Sequence, residues 1–167
     1  MEPPINNFVD EIPVSNIVPI NDNPINKRYE YLLIKYRTSE RKLLYACYHN
    51  KKDCFEIENA LESHYFDEIN RNILFKILTF YRTHDLMNKE VMFSTLSLEE
   101  ANVLQSVLDS ETLPNQKEII TLVNNIKNWP YDKVINILNN KDEKTPEDLK
   151  RITEYKRKIT IIKKNKE

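Results

Sequence analysis

Apolar residues recur along most of this 167-residue chain at intervals of three and four, the spacing of one face of an α-helix. Over residues 27–49 the positions are Tyr29, Leu32, Leu33, Tyr36, Leu43, Leu44 and Cys47. A helix fits them, and a hairpin of 29–37 and 42–49 around Thr38-Ser39-Glu40-Arg41 competes, because tyrosine-rich segments suit strands. That turn lacks the Asn-Gly signal of a tight hairpin, which favours the helix. Residues 55–63 and 66–83 also read as helices; the second carries Ile69, Ile73, Leu74, Ile77, Leu78 and Tyr81 on one face, with Asp67 and Glu68 where they suit the helix dipole. Ser97-Leu98-Glu99-Glu100 is a capping-box pattern, followed by Ala101, Leu104, Val107 and Leu108.

After a turn at Pro114, residues 116–127 place Ile119, Ile120, Val123 and Ile126 on one face. Asn128-Trp129-Pro130 is expected to break that helix, with another over 131–140 carrying Val134, Ile137 and Leu138. Thr145-Pro146-Glu147-Asp148 signals a further start: a cap, proline at the first helical position, then two acids. The stripe that follows, Leu149, Ile152, Tyr155, Ile159 and Ile162, is narrow and has cationic flanks. No internal repeat occurs at a solenoid period. The expected fold is all-α: an extended arm over 1–26, a helical domain over 27–140 and a basic C-terminal helix over 145–167.

The arm holds five of the eight prolines and no Lys or Arg, so it cannot be a helix interior. Its apolar residues, among them Phe8, Ile17 and Val18, leave two readings open besides plain disorder. The arm wraps its own domain, or it is a partner-binding strand or linear motif.

Composition removes whole classes of chemistry. The chain has no glycine, so a phosphate-cradling loop, a dinucleotide fingerprint or a G-x-S-x-G elbow cannot be written in it. The net charge of -1 is unevenly spread. Residues 1–148 hold 17 Lys/Arg against 24 Asp/Glu, a balance of -7, and residues 149–167 hold 8 against 2, a balance of +6. Two cysteines make no secreted disulfide framework, and no apolar run approaches the roughly 18–20 residues of a membrane span. Met1-Glu2-Pro3-Pro4 lacks the basic and apolar regions of a signal peptide, so a cytoplasmic or nuclear location is expected. Twenty asparagines with abundant Ile, Lys and Tyr carry the mark of an AT-rich coding genome.

Candidate chemistry is sparse. Cys47, His49, Cys54 and His64 could be counted as a zinc set, but Cys47-x-His49 points its side chains apart on a helix. Core cysteines and surface histidines are the better account, and no metal or cofactor is expected. His84-Asp85 and the carboxylates Asp67, Glu68, Glu99 and Glu100 are candidate acid–base pairs. Helix capping and the helix dipole already explain the four carboxylates, so the chain reads as non-enzymatic. Trp129, the single tryptophan, is a core anchor or, with Tyr131, a partner-facing hot spot. Lys150, Arg151, Lys156, Arg157, Lys158, Lys163 and Lys164 on the last helix form a solvated face, fold back on the acidic body, or contact phosphate or an acidic partner.

The stretch from Ser97 to Leu138 resembles the C-terminal helical half of the smaller stalk subunit of eukaryotic RNA polymerases II and III. The matching residues are Leu98-Glu99-Glu100-Ala101-Asn102-Val103-Leu104, then Glu118-Ile119-Ile120-Thr121-Leu122-Val123, then Trp129 with Val134, Ile137 and Leu138. Upstream, Arg28-Tyr29-Glu30-Tyr31-Leu32-Leu33 is similar to that family's Tyr-Glu-containing helix. The resemblance covers at most residues 28–140; the family's full helix before the Ser97-like cap has little room in 85–96. It implies a helical transcription subunit, related to helicase-associated RNA-binding domains, that pairs with a larger OB-fold partner and catalyses nothing.

The sequence-based expectation is therefore a non-enzymatic subunit of a larger intracellular assembly with protein partners and no membrane. Two other readings stand beside the stalk subunit. One is a ribosome- or RNA-associated factor whose basic helix contacts rRNA. The other is a host-directed helical-bundle binding protein of a virus or parasite.

Overall fold

The segment open to helix or hairpin is one unbroken helix, α1 (Pro24–His49). The four residues offered as a turn explain why. Ser39 and Glu40 are buried, and both are tied by side-chain hydrogen bonds that a surface turn would forfeit. The Ser39 hydroxyl accepts from Asn125 Nδ2 at 3.1 Å. The Glu40 carboxylate accepts from the Asp67 backbone N–H at 2.9 Å and from Asn70 Nδ2. Pro24 opens the helix where a missing N–H costs nothing. Residues 24–26 therefore belong to α1 and not to the expected arm, whose other residues lie outside those described.

The computed structural model describes residues 24–62 and 65–164, and among them every regular element is helical. The other helices are α2 (Lys51–Leu61), α3 (Glu68–Tyr81), α4 (Lys89–Ser94), α5 (Leu98–Ser110), α6 (Gln116–Asn139) and α7 (Pro146–Lys164). Without glycine, the chain starts its helices with side-chain caps. Asn50, Asp67 and Asn88 each accept from the backbone N–H three residues on. Ser97–Glu100, Asn115–Glu118 and Thr145–Asp148 each close a reciprocal pair, side chain to backbone in both directions. The Asn50 cap starts α2 earlier than the expected residue 55, and the Asn88 cap creates the short α4. At the end of α2 the missing glycine has a cost: Glu62 takes φ 60°, a region a side chain disfavours.

The expected break at Asn128-Trp129-Pro130 does not occur, because Pro130 lies inside α6. Proline deprives the Ile126 carbonyl of its usual donor. Packing on both sides outweighs that loss. Ile126 and Val134 are fully buried, and Trp129 stacks on Tyr36 with ring centroids 5.1 Å apart and meets Tyr29 at 5.9 Å.

The described chain divides into two compact units, residues 37–126 and residues 24–36 with 127–164, the division falling inside α1 and α6. In the first unit α3 packs against α2, α4 and α5 and buries Ile73, Leu74, Ile77, Leu78 and Tyr81. The Tyr81 hydroxyl donates to the Tyr48 carbonyl at 2.6 Å, which supplies an orphan acceptor in the last turn of α1. In the second unit Tyr29, Leu32 and Tyr36 of α1 are buried, and Val134 and Leu138 of α6 pack with Ile152 and Tyr155 of α7.

Candidate functional site

The two units differ in charge. Residues 37–126 carry 10 Lys/Arg against 14 Asp/Glu, a balance of -4, while residues 24–36 and 127–164 carry 14 against 7, a balance of +7. The surplus concentrates on α7. Ile152 and Tyr155 fasten this helix to α6, where Tyr155 meets the Tyr131 ring edge-on at 5.2 Å. Thr145 caps it, and Asp148 both closes that cap and takes the Lys141 ammonium at 2.7 Å. The Lys141 hydrogen bond, with the Thr145 backbone N–H, holds the Asp148 carboxyl below its ordinary value.

With one face so fixed, helical geometry decides where the cations go. Lys150, Arg157 and Lys164 recur every seven residues, about 10.5 Å apart along the axis, and Lys156 and Lys163 run beside them at the same interval. All five are exposed, and among the described residues none is held by an ion pair or a hydrogen bond. Leu149 and Ile161 are exposed on the same face. The other two cations of the expected set are placed differently. Lys158 lies over the Tyr131 ring at 5.9 Å, and Arg151 is half-buried and already engaged.

Trp129 is half-buried, with Tyr29 and Tyr36 on the inside and the Lys133 ammonium 5.7 Å from its ring. Tyr131 is half-buried beside Tyr155. Both serve the packing of the second unit. Phe8, Ile17 and Val18 lie outside the described residues.

A second surface in this unit does not stand out from the residue pattern. On α1, Tyr31 and Ile34 are 56% and 64% exposed, and the Arg28 guanidinium sits 5.4 Å from the Tyr31 ring centroid. Their signal was available: both fall off the buried stripe of Tyr29, Leu32 and Tyr36. Next to this surface the half-buried Asp132 of α6 feels Lys35 and Arg28 from α1 and Lys163 from α7. Burial pushes its carboxyl above the ordinary value against the pull of those three cations.

Of the candidate acid–base residues, His84, Asp85, Glu100 and Asp67 are each engaged elsewhere. His84 stacks on Phe80 with centroids 4.1 Å apart, and its Nδ1 lies 3.0 Å from the Phe80 carbonyl oxygen. Asp85 turns instead to Lys51 at 2.8 Å. Glu100 closes its cap and takes the Lys76 ammonium at 2.7 Å, a hydrogen bond that holds its carboxyl below the ordinary value. Asp67 caps α3. Cys47 and Cys54 are buried free thiols and His49 is exposed, while His64 lies outside the described residues. Burial pushes the Cys47 thiol up, so it is a poor nucleophile. Among the described residues no three His, Cys, Asp or Glu side chains gather as a metal site requires, and no helix is long and apolar enough to cross a membrane. Comparison with known proteins returns no matching family model, no matching curated protein and no matching solved structure.

Proposed function

We propose that the protein is a non-catalytic subunit of an RNA-containing assembly and docks on RNA phosphates through the exposed face of α7. One observation carries this reading: Lys150, Lys156, Arg157, Lys163 and Lys164 stand in water, with no side-chain ion pair or hydrogen bond among the described residues, on a helix anchored by Ile152 and Tyr155. A row of cations that the fold does not use is the electrostatic footprint of a polyanion, and releasing the polyanion's counterions drives binding. Lysine is also depleted from protein–protein interface cores, which favours phosphate over a protein surface as the occupant.

The test is purification of the tagged protein from its own cells at low salt, with and without nuclease, beside the triple variant K150E/R157E/K164E. RNA-dependent recovery of an assembly, lost in the triple variant, is the expected result. Recovery of polymerase subunits that survives nuclease would replace this reading with the stalk-subunit one. A stable monomer that brings down neither would favour a host-directed binder.

A further inference from the structure

We propose that the outer face of α1 around Tyr31 receives an unpaired RNA base, with Arg28 beside it, and Lys163 acting on the same carboxylate as Arg28, to take the flanking phosphates. The inference rests on the RNA-binding reading of α7 and names the form of RNA that the protein prefers.

Tyr31 is the starting point. A tyrosine is normally drawn at least partly into a core, as Tyr29 and Tyr36 are two and five residues away on the same helix. Tyr31 instead leaves more than half of its surface in water, and Ile34, one turn on, leaves still more. These apolar spots stand among charges: Lys27 and Arg28 precede them, Lys35 follows, and Glu30 is the one acid in residues 24–36. The guanidinium of Arg28 already lies against the Tyr31 ring. An aromatic ring beside an arginine plane is the arrangement on which unpaired bases stack, because every base has a π-face and the arginine also meets the phosphate.

Arg28 and Lys35 of α1 and Lys163 of α7 all act on the same carboxylate, Asp132. Arg28 of α1 and Lys163 of α7 thus belong to one positive field around Asp132. An RNA strand lying along α7 from Lys150 to Lys164 covers about 21 Å. A duplex gains nothing from Tyr31, since its bases are already stacked and paired. Asp132 opposes a phosphate bound by these cations, so removing its charge should improve binding.

The probes are a short oligouridine and an RNA duplex of equal length, with affinity for the full chain read by fluorescence anisotropy at fixed salt. Tyr31→Ala is expected to weaken oligouridine binding about tenfold, the loss of one base stack, and to leave duplex binding unchanged. Tyr31→Phe, which keeps the ring, restores the preference. Asp132→Asn strengthens both about two- to threefold through one removed like-charge contact. Oligouridine affinity unchanged in Tyr31→Ala, while K150E/R157E/K164E weakens both probes, overturns this inference alone. If the triple variant also leaves both affinities unchanged, the reading of α7 fails with it. Tyr31 is exposed, so its variants should melt like the parent, and a thermal melt checks this directly.

Discussion

Residues 37–126 and the unit of residues 24–36 and 127–164 share two helices, α1 and α6, but use their charges in different ways. In the first, five of the ten Lys/Arg are paired with acids of the same unit. Arg41, Lys42, Lys51, Lys52 and Lys76 are all held in ion pairs, and Arg41 alone bonds Glu111, the Ser106 carbonyl and the Ser110 hydroxyl. Buried polar groups are matched as well: Glu40 to Asn70, Ser39 to Asn125, Asp53 to Gln116. In the second unit aromatic rings hold the helices together, and five cations of α7 face water with no side-chain ion pair or hydrogen bond among the described residues. The contrast separates a region whose cations largely serve its own structure from one that leaves a row of cations in water.

Three variants sharpen that contrast. The largest effect is expected from Trp129→Ala, which removes the ring between Tyr36 and Tyr29 while leaving Pro130 inside the helix. A loss of about 3 kcal/mol follows from the Trp→Ala range, near its low end because Trp129 is only half-buried. Denaturant melts should show it. Glu100→Gln is expected to cost about 1 kcal/mol at neutral pH through the weakened capping box and the Lys76 pair. The sign with pH follows from the depressed carboxyl. The contribution is full above the unfolded-state value of about 4.3 and disappears as pH falls through the folded-state value. The gap between parent and variant should therefore close in acid; a constant gap would assign it to packing. Last, Glu62→Gly should raise stability by about 1 kcal/mol, since glycine adopts φ 60° freely and the gain is offset by its larger unfolded-state entropy.

Much of this architecture was written locally. Ser97-x-x-Glu100 and Thr145-Pro146 gave true helix starts because a cap needs only neighbours in sequence. Asn50 and Asn88 are caps of the same kind, but in a chain with 20 asparagines they did not stand out. Pro130 misled for a physical reason: local chemistry predicts a break, and distant aromatic rings hold the helix together. The candidate site was half legible. Composition located the basic helix, but which cations reach water depended on where Ile152 and Tyr155 anchor it. Lys150 is free where its neighbour Arg151 is not. Tyr31 was hidden among the tyrosines of α1, since only packing tells an exposed ring from a buried one.

The central claim is that the unspent cations of α7 bind RNA phosphates. Its most direct test is the affinity of the full chain for single-stranded RNA across a salt series. Five phosphate contacts predict a log–log slope of about −3 to −4, a loss of roughly a hundredfold between 50 and 200 mM salt. A slope near zero, or no RNA binding at low salt, would contradict the account.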